Sequence, residues 1–184
     1  MNFNASRFTE RDRGILAFAG KTRVISGGAV RGVARRCSRG APQVLLCEPE
    51  KRSKPFPTVF WLMCPYLVRL SGCLEARDGV SSMEEYLLGK DEEWRLYHLF
   101  HARLRLALMR GARKSYLRFY RRREFCSLRK GGVGGIAVGH GVSVKCLHLQ
   151  IASYLGTGSH PAAEWLLENI RQWECGMGSC VPKR

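Results

Sequence analysis

Acidic residues are scarce in this chain. Asp and Glu occupy 15 of 184 positions against 31 for Lys and Arg, which leaves a net charge of +16. A surface so poor in carboxylates attracts phosphate- or carboxylate-bearing partners at low salt. A long apolar run is also missing. The most apolar stretch, Val59 to Leu74, is broken by Pro65 and Arg69 and falls short of the roughly 20 residues a spanning helix needs, so it reads as core rather than membrane. The first twenty residues lack the basic, apolar, small-residue order of a secretory signal, because Arg7, Glu10, Arg11, Asp12 and Arg13 stand where the apolar part would lie. The expectation is a cytoplasmic protein whose eight cysteines are free or metal-bound rather than paired as disulfides. No Cys-x-x-Cys pair occurs, which removes the local half-site of a zinc ribbon. No internal repeat is present.

What is there suffices for one core. With 45% apolar residues over this length, a single domain is expected, placed at residues 21–174 between an N-terminal extension, 1–20, and a tail, 175–184. Small and β-branched residues from Thr22 to Val33, then Pro42 to Cys47 and Pro57 to Met63, predict short strands, with basic turns at Arg35–Gly40 and Lys51–Lys54. Pro65 suits a first helical turn, and Leu67, Leu70 and Leu74 follow at helical spacing. Ser81 and Ser82 ahead of Glu84 and Glu85 read as a capping box opening a second helix that stops at Gly89. Asp91 to about Met109 carries the longest helical pattern, which Gly111 divides from a continuation toward Arg123. Glycines at 131, 132, 134 and 135 interrupt the chain. Leu147, Ile151 and Leu155 then predict a helix from about Val144, ended by Gly156, and a last helix follows Pro161 with Trp165 and Trp173 anchoring it. The fold class is therefore α+β, a small N-terminal antiparallel sheet packed against four to six helices, with Cys64-Pro65 at a strand-to-helix junction.

Charge is unevenly spread. Residues 103–130 hold 11 basic residues and 1 acidic residue, whereas residues 55–102 carry a net negative charge. Within the basic segment Arg113, Lys114, Arg118, Arg121, Arg122 and Arg123 interleave with Tyr116, Phe119 and Tyr120, a mixture suited to phosphate pairing and base stacking. A solvated basic face whose aromatics belong to the core is the competing reading. The glycine run at 131–135 lacks both the Walker ending and the Gly-x-Gly-x-x-Gly spacing, so a connector is favoured over a phosphate loop.

Three separated segments carry the chemistry. Arg36-Cys37, Cys64-Pro65 and Val144-Lys145-Cys146-Leu147-His148 supply soft and borderline ligands. Cys37, Cys64, Cys146 and His148 make four groups that would bind zinc or an iron–sulfur cluster if folding gathered them. Arg36, Lys145, Arg121 and Arg122 are the candidate anion contacts. Free cysteines are also common core fillers. A further alternative is an enzyme with Cys146 as nucleophile and His148 as its base, the thiolate favoured by a helix N-terminus and by Lys145, although residues i and i+2 on a helix rarely reach one another. His98 and His101, three apart, read as an exposed or helix-packing pair.

The blocks Arg31-Gly-Val-Ala-Arg-Arg-Cys37, Pro55-Phe-Pro-Thr-Val-Phe-Trp-Leu-Met-Cys64-Pro-Tyr-Leu67, Gly132-Val-Gly-Gly-Ile136 and Val144-Lys-Cys-Leu-His148 together resemble a bacterial family known only as domain of unknown function 501. The resemblance spans about residues 31–170. It implies where a site lies and names no reaction. Where similar proteins tend to show Ser-Arg-Leu-Glu, this chain has Ser71-Gly72-Cys73-Leu74-Glu75.

Overall fold

The computed structural model describes residues 5–21, 29–51, 54–56 and 58–176. Its centre is strand β2 (Pro42–Cys47), every residue of which is buried. It pairs antiparallel with β1 (Val30–Arg36) on one side and β5 (Phe60–Leu62) on the other, with Val33 opposite Leu45 and Val44 opposite Leu62. Successive strand side chains point to opposite faces, and both faces of β2 are covered. Val44 and Leu46 enter the main core with Phe60, Leu67, Met83 and Ile151, while Leu45 and Cys47 pack with Leu16, Val33 and Met63. A separate short hairpin pairs β3 (Glu50–Lys51) with β4 (Lys54–Pro55).

Eight α-helices occur among the described residues: α1 (Glu10–Phe18), α2 (Pro65–Glu75), α3 (Gly79–Tyr86), α4 (Asp91–Leu108), α5 (Gly111–Tyr120), α6 (Arg122–Lys130), α7 (Leu147–Thr157) and α8 (Ala163–Asn169). The α+β class and the strand-to-helix junction at Cys64-Pro65 hold. The helix count exceeds the expected four to six for two reasons. Residues 1–20, read as an extension, contain α1, whose Thr9 and Asp12 form a reciprocal capping box and whose Leu16 is buried against the sheet. The basic stretch also breaks twice, after Leu108 and again at Arg121, to give α5 and α6.

Three boundaries shift. Helix α3 starts at Gly79, not at the serines; Asp78 adopts a left-handed conformation before it, and Ser82 lies within the helix, accepting a hydrogen bond from Trp165 Nε1 at 3.1 Å. Helix α7 runs through Gly156 and is closed by Gly158 in the left-handed region. Gly156 is required for a different reason: a Cβ there would come within 2.4 Å of the Phe60 ring, so the helix packs directly on β5 through its backbone. Helix α7 also begins at Leu147, which leaves Cys146 as the extended N-cap residue and not in the first turn. The strand expected from Thr22 lies partly outside the described residues; its described part is β1.

The histidine pair of α4 is buried. His98 and His101, with His160, pack against Trp94 and Tyr97 of the main core. Val133 N–H donates to His98 Nδ1 at 3.0 Å, so the ring proton of neutral His98 is on Nε2. Burial first, and then the nearby Arg105 charge, lowers His98 to about 4. Burial likewise takes His101 and His160 to about 3.

A Glu75–Cys146–His148 cluster at the start of helix α7

The loop leading into α7 is fastened before the helix begins. Val144 N–H donates to Glu84 Oε1 at 2.7 Å, and Lys145 Nζ donates to the Gly134 carbonyl at 3.2 Å. Helix α2 reaches the same place with its last residue. Glu75 Oε1 accepts the Leu147 N–H at 2.6 Å and the His148 N–H at 3.4 Å, two of the amides that the first turn of a helix leaves without internal partners. Gly79 permits this approach of helices α2 and α3 to α7, since a Cβ there would fall 2.6 Å from the Leu74 carbonyl oxygen and 3.0 Å from Leu147.

The cap brings three donor types together. His148 Nδ1 lies 3.0 Å from Glu75 Oε1. One ligand atom from each of Glu75, Cys146 and His148 lies within 4.8 Å of the other two, and this is the one such group of three or more His, Cys, Asp or Glu residues among the described residues. Cys146 and His148 meet despite their i, i+2 spacing because Cys146 is not helical: its extended backbone, φ −166° and ψ 155°, lets the thiol fold back over the first turn. There the His148 and Leu149 amides point at the sulfur. Burial pushes the Cys146 thiol up, and the Glu75 charge adds to this, outweighing those amides and Lys145. A thiol so held is protonated at neutral pH, the wrong state for a nucleophile. The side chains of Glu75 and His148 remain 27% and 34% exposed, so the cluster is open to solvent, and His148 also borders an apolar cleft of about 240 Å³ with Phe60, Trp61 and Met63.

Cys37 and Cys64 do not join this group. Cys64 caps the N-terminus of α2 and Glu75 is its last residue, so at 1.5 Å per residue about 16 Å separates them. The four-ligand set Cys37, Cys64, Cys146 and His148 is therefore split between the two ends of one helix. Cys37 and Cys64 do come together with each other and with Cys175, around a cavity of about 10 Å³ that Gln43 also lines. Cys37 and Cys175 pack with Ile15 and Ala41, and Cys64 belongs to the main core, while Arg39 and Glu174 close the cavity on its polar side. Burial is the largest influence on the Cys64 thiol and raises it.

Arg36 is also reassigned. Its guanidinium donates to both Asp12 oxygens, to the Gly40 and Arg7 carbonyls and to Ser6 Oγ, which uses all five of its N–H donors and leaves none for an external anion. It fastens α1 to the end of β1. Lys145 is exposed beside the cluster. Arg121 pairs with Glu124 at 3.1 Å, and Arg122 is exposed next to it. The interleaved aromatics are not core residues: Tyr116, Phe119 and Tyr120 are 42%, 63% and 77% exposed. Glu75 was absent from the expected ligands. Its signal was its place at the end of the Ser71-to-Glu75 segment, which the family resemblance had already marked.

Residues 33–168 match the model of a family described as a protein of unknown function, DUF501. No curated protein and no solved structure matches the chain. No helix among the described residues is long and apolar enough to cross a membrane.

Proposed function

Since this chain belongs to the DUF501 family, whose description names no activity, we propose from the site itself that the protein binds one divalent metal ion, zinc by ligand preference, through Glu75, Cys146 and His148. The carrying observation is the convergence of a carboxylate, a thiol and an imidazole within 4.8 Å. Oxygen, sulfur and nitrogen donors together suit zinc, and three protein ligands leave a fourth position for water or substrate, the pattern of a catalytic rather than a structural ion. Three further features support it. The cluster is partly open to solvent, its backbone amides donate to the Glu75 and Glu84 carboxylates of two other helices, and a cation would relieve the crowding of the Glu75 charge against the sulfur. A bound ion supplies Lewis acidity there. Glu75 holds the imidazole in place, and Lys145 at the rim offers a positive charge to an anionic substrate.

The plainer alternative is that Glu75 only caps α7. Metal analysis of reductively purified protein separates the two: the metal reading expects close to one ion per chain, lost in Cys146→Ser, whereas stoichiometry near zero means a cap. An iron–sulfur cluster is disfavoured because such clusters are held chiefly by thiolates and this group contains one.

The exposed aromatics favour a second, compatible reading in which the α5–α6 face binds an anionic partner, single-stranded nucleic acid by its chemistry. Tyr116, Phe119 and Tyr120 face solvent among Arg118, Arg121, Arg122 and Arg123, and Arg113 and Arg118 stack on Tyr116 and Phe119 at 5.0 and 5.8 Å. Exposed rings offer stacking platforms and the arginines phosphate contacts. Affinity for a labelled single-stranded oligonucleotide should fall steeply with salt, and should weaken in Arg121→Ala with Arg122→Ala and in Phe119→Ala. A salt-independent affinity, or one untouched by these changes, contradicts it.

A further inference from the structure

A cleft of about 500 Å³ opens between the first half of α4 and the turn that follows α7, a volume within the range of small-molecule sites. None of the metal-cluster residues lines it. One wall is a stripe of α4, Glu93, Leu96 and Phe100, whose three-and-four spacing puts them on one helix face. The facing wall is Thr157, Ser159 and Pro161, and Tyr97 and His160 form the floor.

The floor is apolar although its residues are not. Tyr97 donates its hydroxyl to Gln150 Oε1 at 3.0 Å, and the Ala162 N–H donates to His160 Nδ1 at 2.9 Å. The His160 proton is therefore on Nε2, which donates to the same Gln150 oxygen at 2.9 Å. Gln150 is fully buried, so these polar atoms turn inward and ring carbons are left to face the cleft. Burial lowers His160 to about 3, which keeps the floor uncharged at neutral pH.

The walls carry charge of one sign. In a chain of net charge +16, no Lys or Arg lines this cleft. Glu93 is exposed and makes no ion pair among the described residues. Its neighbours are engaged elsewhere: Arg95 pairs with Glu92 at 2.6 Å, and Lys90, which feels the Glu93 charge, lies over the Tyr86 ring at 3.9 Å. The opposite wall adds a second negative feature. The last carbonyls of a helix carry the negative end of its dipole, and α7 has no basic residue in its last turn to offset it. Between these poles Leu96, 50% exposed, continues with Phe100 and Pro161 as an apolar surface.

We propose that this cleft binds a small organic cation, a protonated amine whose ammonium sits between Glu93 and the end of α7 and whose apolar body lies on Leu96, Phe100 and Pro161. The negative walls set the head group, since an ammonium has three N–H donors and no acceptor, and a carboxylate accepts from it in a charge-assisted bond. The aromatic lining favours the same sign of charge. The apolar surface sets the body, which a bare short-chain amine lacks.

The experiment uses the intact chain, labelled with nitrogen-15, and three probes: phenethylamine and ethylamine, both ammonium ions at neutral pH, and 3-phenylpropionate, which pairs an aryl body with the opposite charge. Phenethylammonium should shift the amides of residues 93–100 and 157–160 in a saturable way, with affinity at least about tenfold above that of ethylammonium, a difference of about 1.4 kcal/mol. Phenylpropionate should leave these amides in place. Glu93→Gln should weaken phenethylammonium binding about tenfold. Because Glu93 lies in the first turn of α4, that change also touches helix stability. Leu96→Ala, at an exposed position where Ala suits a helix, is the second variant, expected to weaken phenethylammonium about threefold without affecting ethylammonium. Absence of phenethylammonium binding at millimolar concentration, equal affinity for phenylpropionate or for ethylammonium, shifts confined to other segments, or an affinity unchanged in either variant would overturn the proposal.

Discussion

Helix α2 carries cysteine chemistry at both ends, and the two ends differ. At its start Cys64 meets Cys37 and Cys175 around a space of about 10 Å³, with Ile15 and Ala41 as neighbours. At its finish Glu75 meets Cys146 and His148 in a partly open setting, with ligand atoms within 4.8 Å. The three thiols at the first end are not close enough to one another to form a ligand group of the kind found at the second, and the space between them holds little more than one water. At the second end a carboxylate and an imidazole lie beside a single thiol, and Glu75 is held there by the same hydrogen bonds that start α7. Counting thiols points to the first end of the helix; matching donor types and exposure points to the second, where the proposal places the metal.

The largest expected effect sets the window in which the two ends can be compared. His98, His101 and His160 stay neutral in the fold down to about 4, 3 and 3, but in the unfolded chain each takes a proton near pH 6.5. Between those values the unfolded state binds more protons, so the stabilisation is fully present above pH 6.5 and is lost as pH falls. Each histidine should contribute a slope of about 1.4 kcal/mol per pH unit. Denaturant titrations from pH 7.5 to 5 check it, and a flat stability over that range contradicts the buried neutral histidines.

Within that window, substitutions should behave oppositely at the two ends. Cys146→Ser is expected to weaken zinc affinity about a hundredfold, or about 2.7 kcal/mol, while leaving metal-free stability nearly unchanged. Competition with a chromophoric chelator reads this. Cys64→Ala should do the reverse, costing about 1–2 kcal/mol of stability by emptying a packed position with no change in metal affinity. Glu75→Gln sharpens the contrast further. Its amide oxygen can still accept the Leu147 and His148 amides, so the cap survives with a loss of about 0.5–1 kcal/mol, but the anionic ligand is gone and zinc affinity should fall about tenfold, or about 1.4 kcal/mol. Equal losses in stability and affinity would mean that Glu75 acts only as a cap. Cys37→Ala, partly exposed beside Ala41, should be the mildest, within about 0.5 kcal/mol.

Legibility in the sequence followed the range of the interactions. Strand β2 and helix α2 were readable because alternation and Pro65 are local signals. The helix count was not, since α1 depends on burying Leu16 against Val33 and Leu45, contacts that no window of sequence contains. Ser81 and Ser82 mimicked a cap that Gly79 displaced through its close approach to Leu74. At the site, with Cys37 and Cys64 read as joining Cys146 and His148 in one four-ligand set, only the closeness of Cys146 and His148 was legible. That the two pairs belong to opposite ends of α2 was not, and Glu75 escaped notice because a lone glutamate at a helix end has no distinctive spacing. Arg36 looked available for anions until its five donors proved to be taken by α1 and its flanks.

The central claim is that the metal sits at the mixed-donor end. X-ray absorption at the zinc edge, on protein loaded with one equivalent, tests it most directly. One sulfur at about 2.3 Å with nitrogen and oxygen neighbours at about 2.0–2.2 Å is the result this account predicts. A shell of three or more sulfurs would move the metal to Cys37, Cys64 and Cys175 and contradict it.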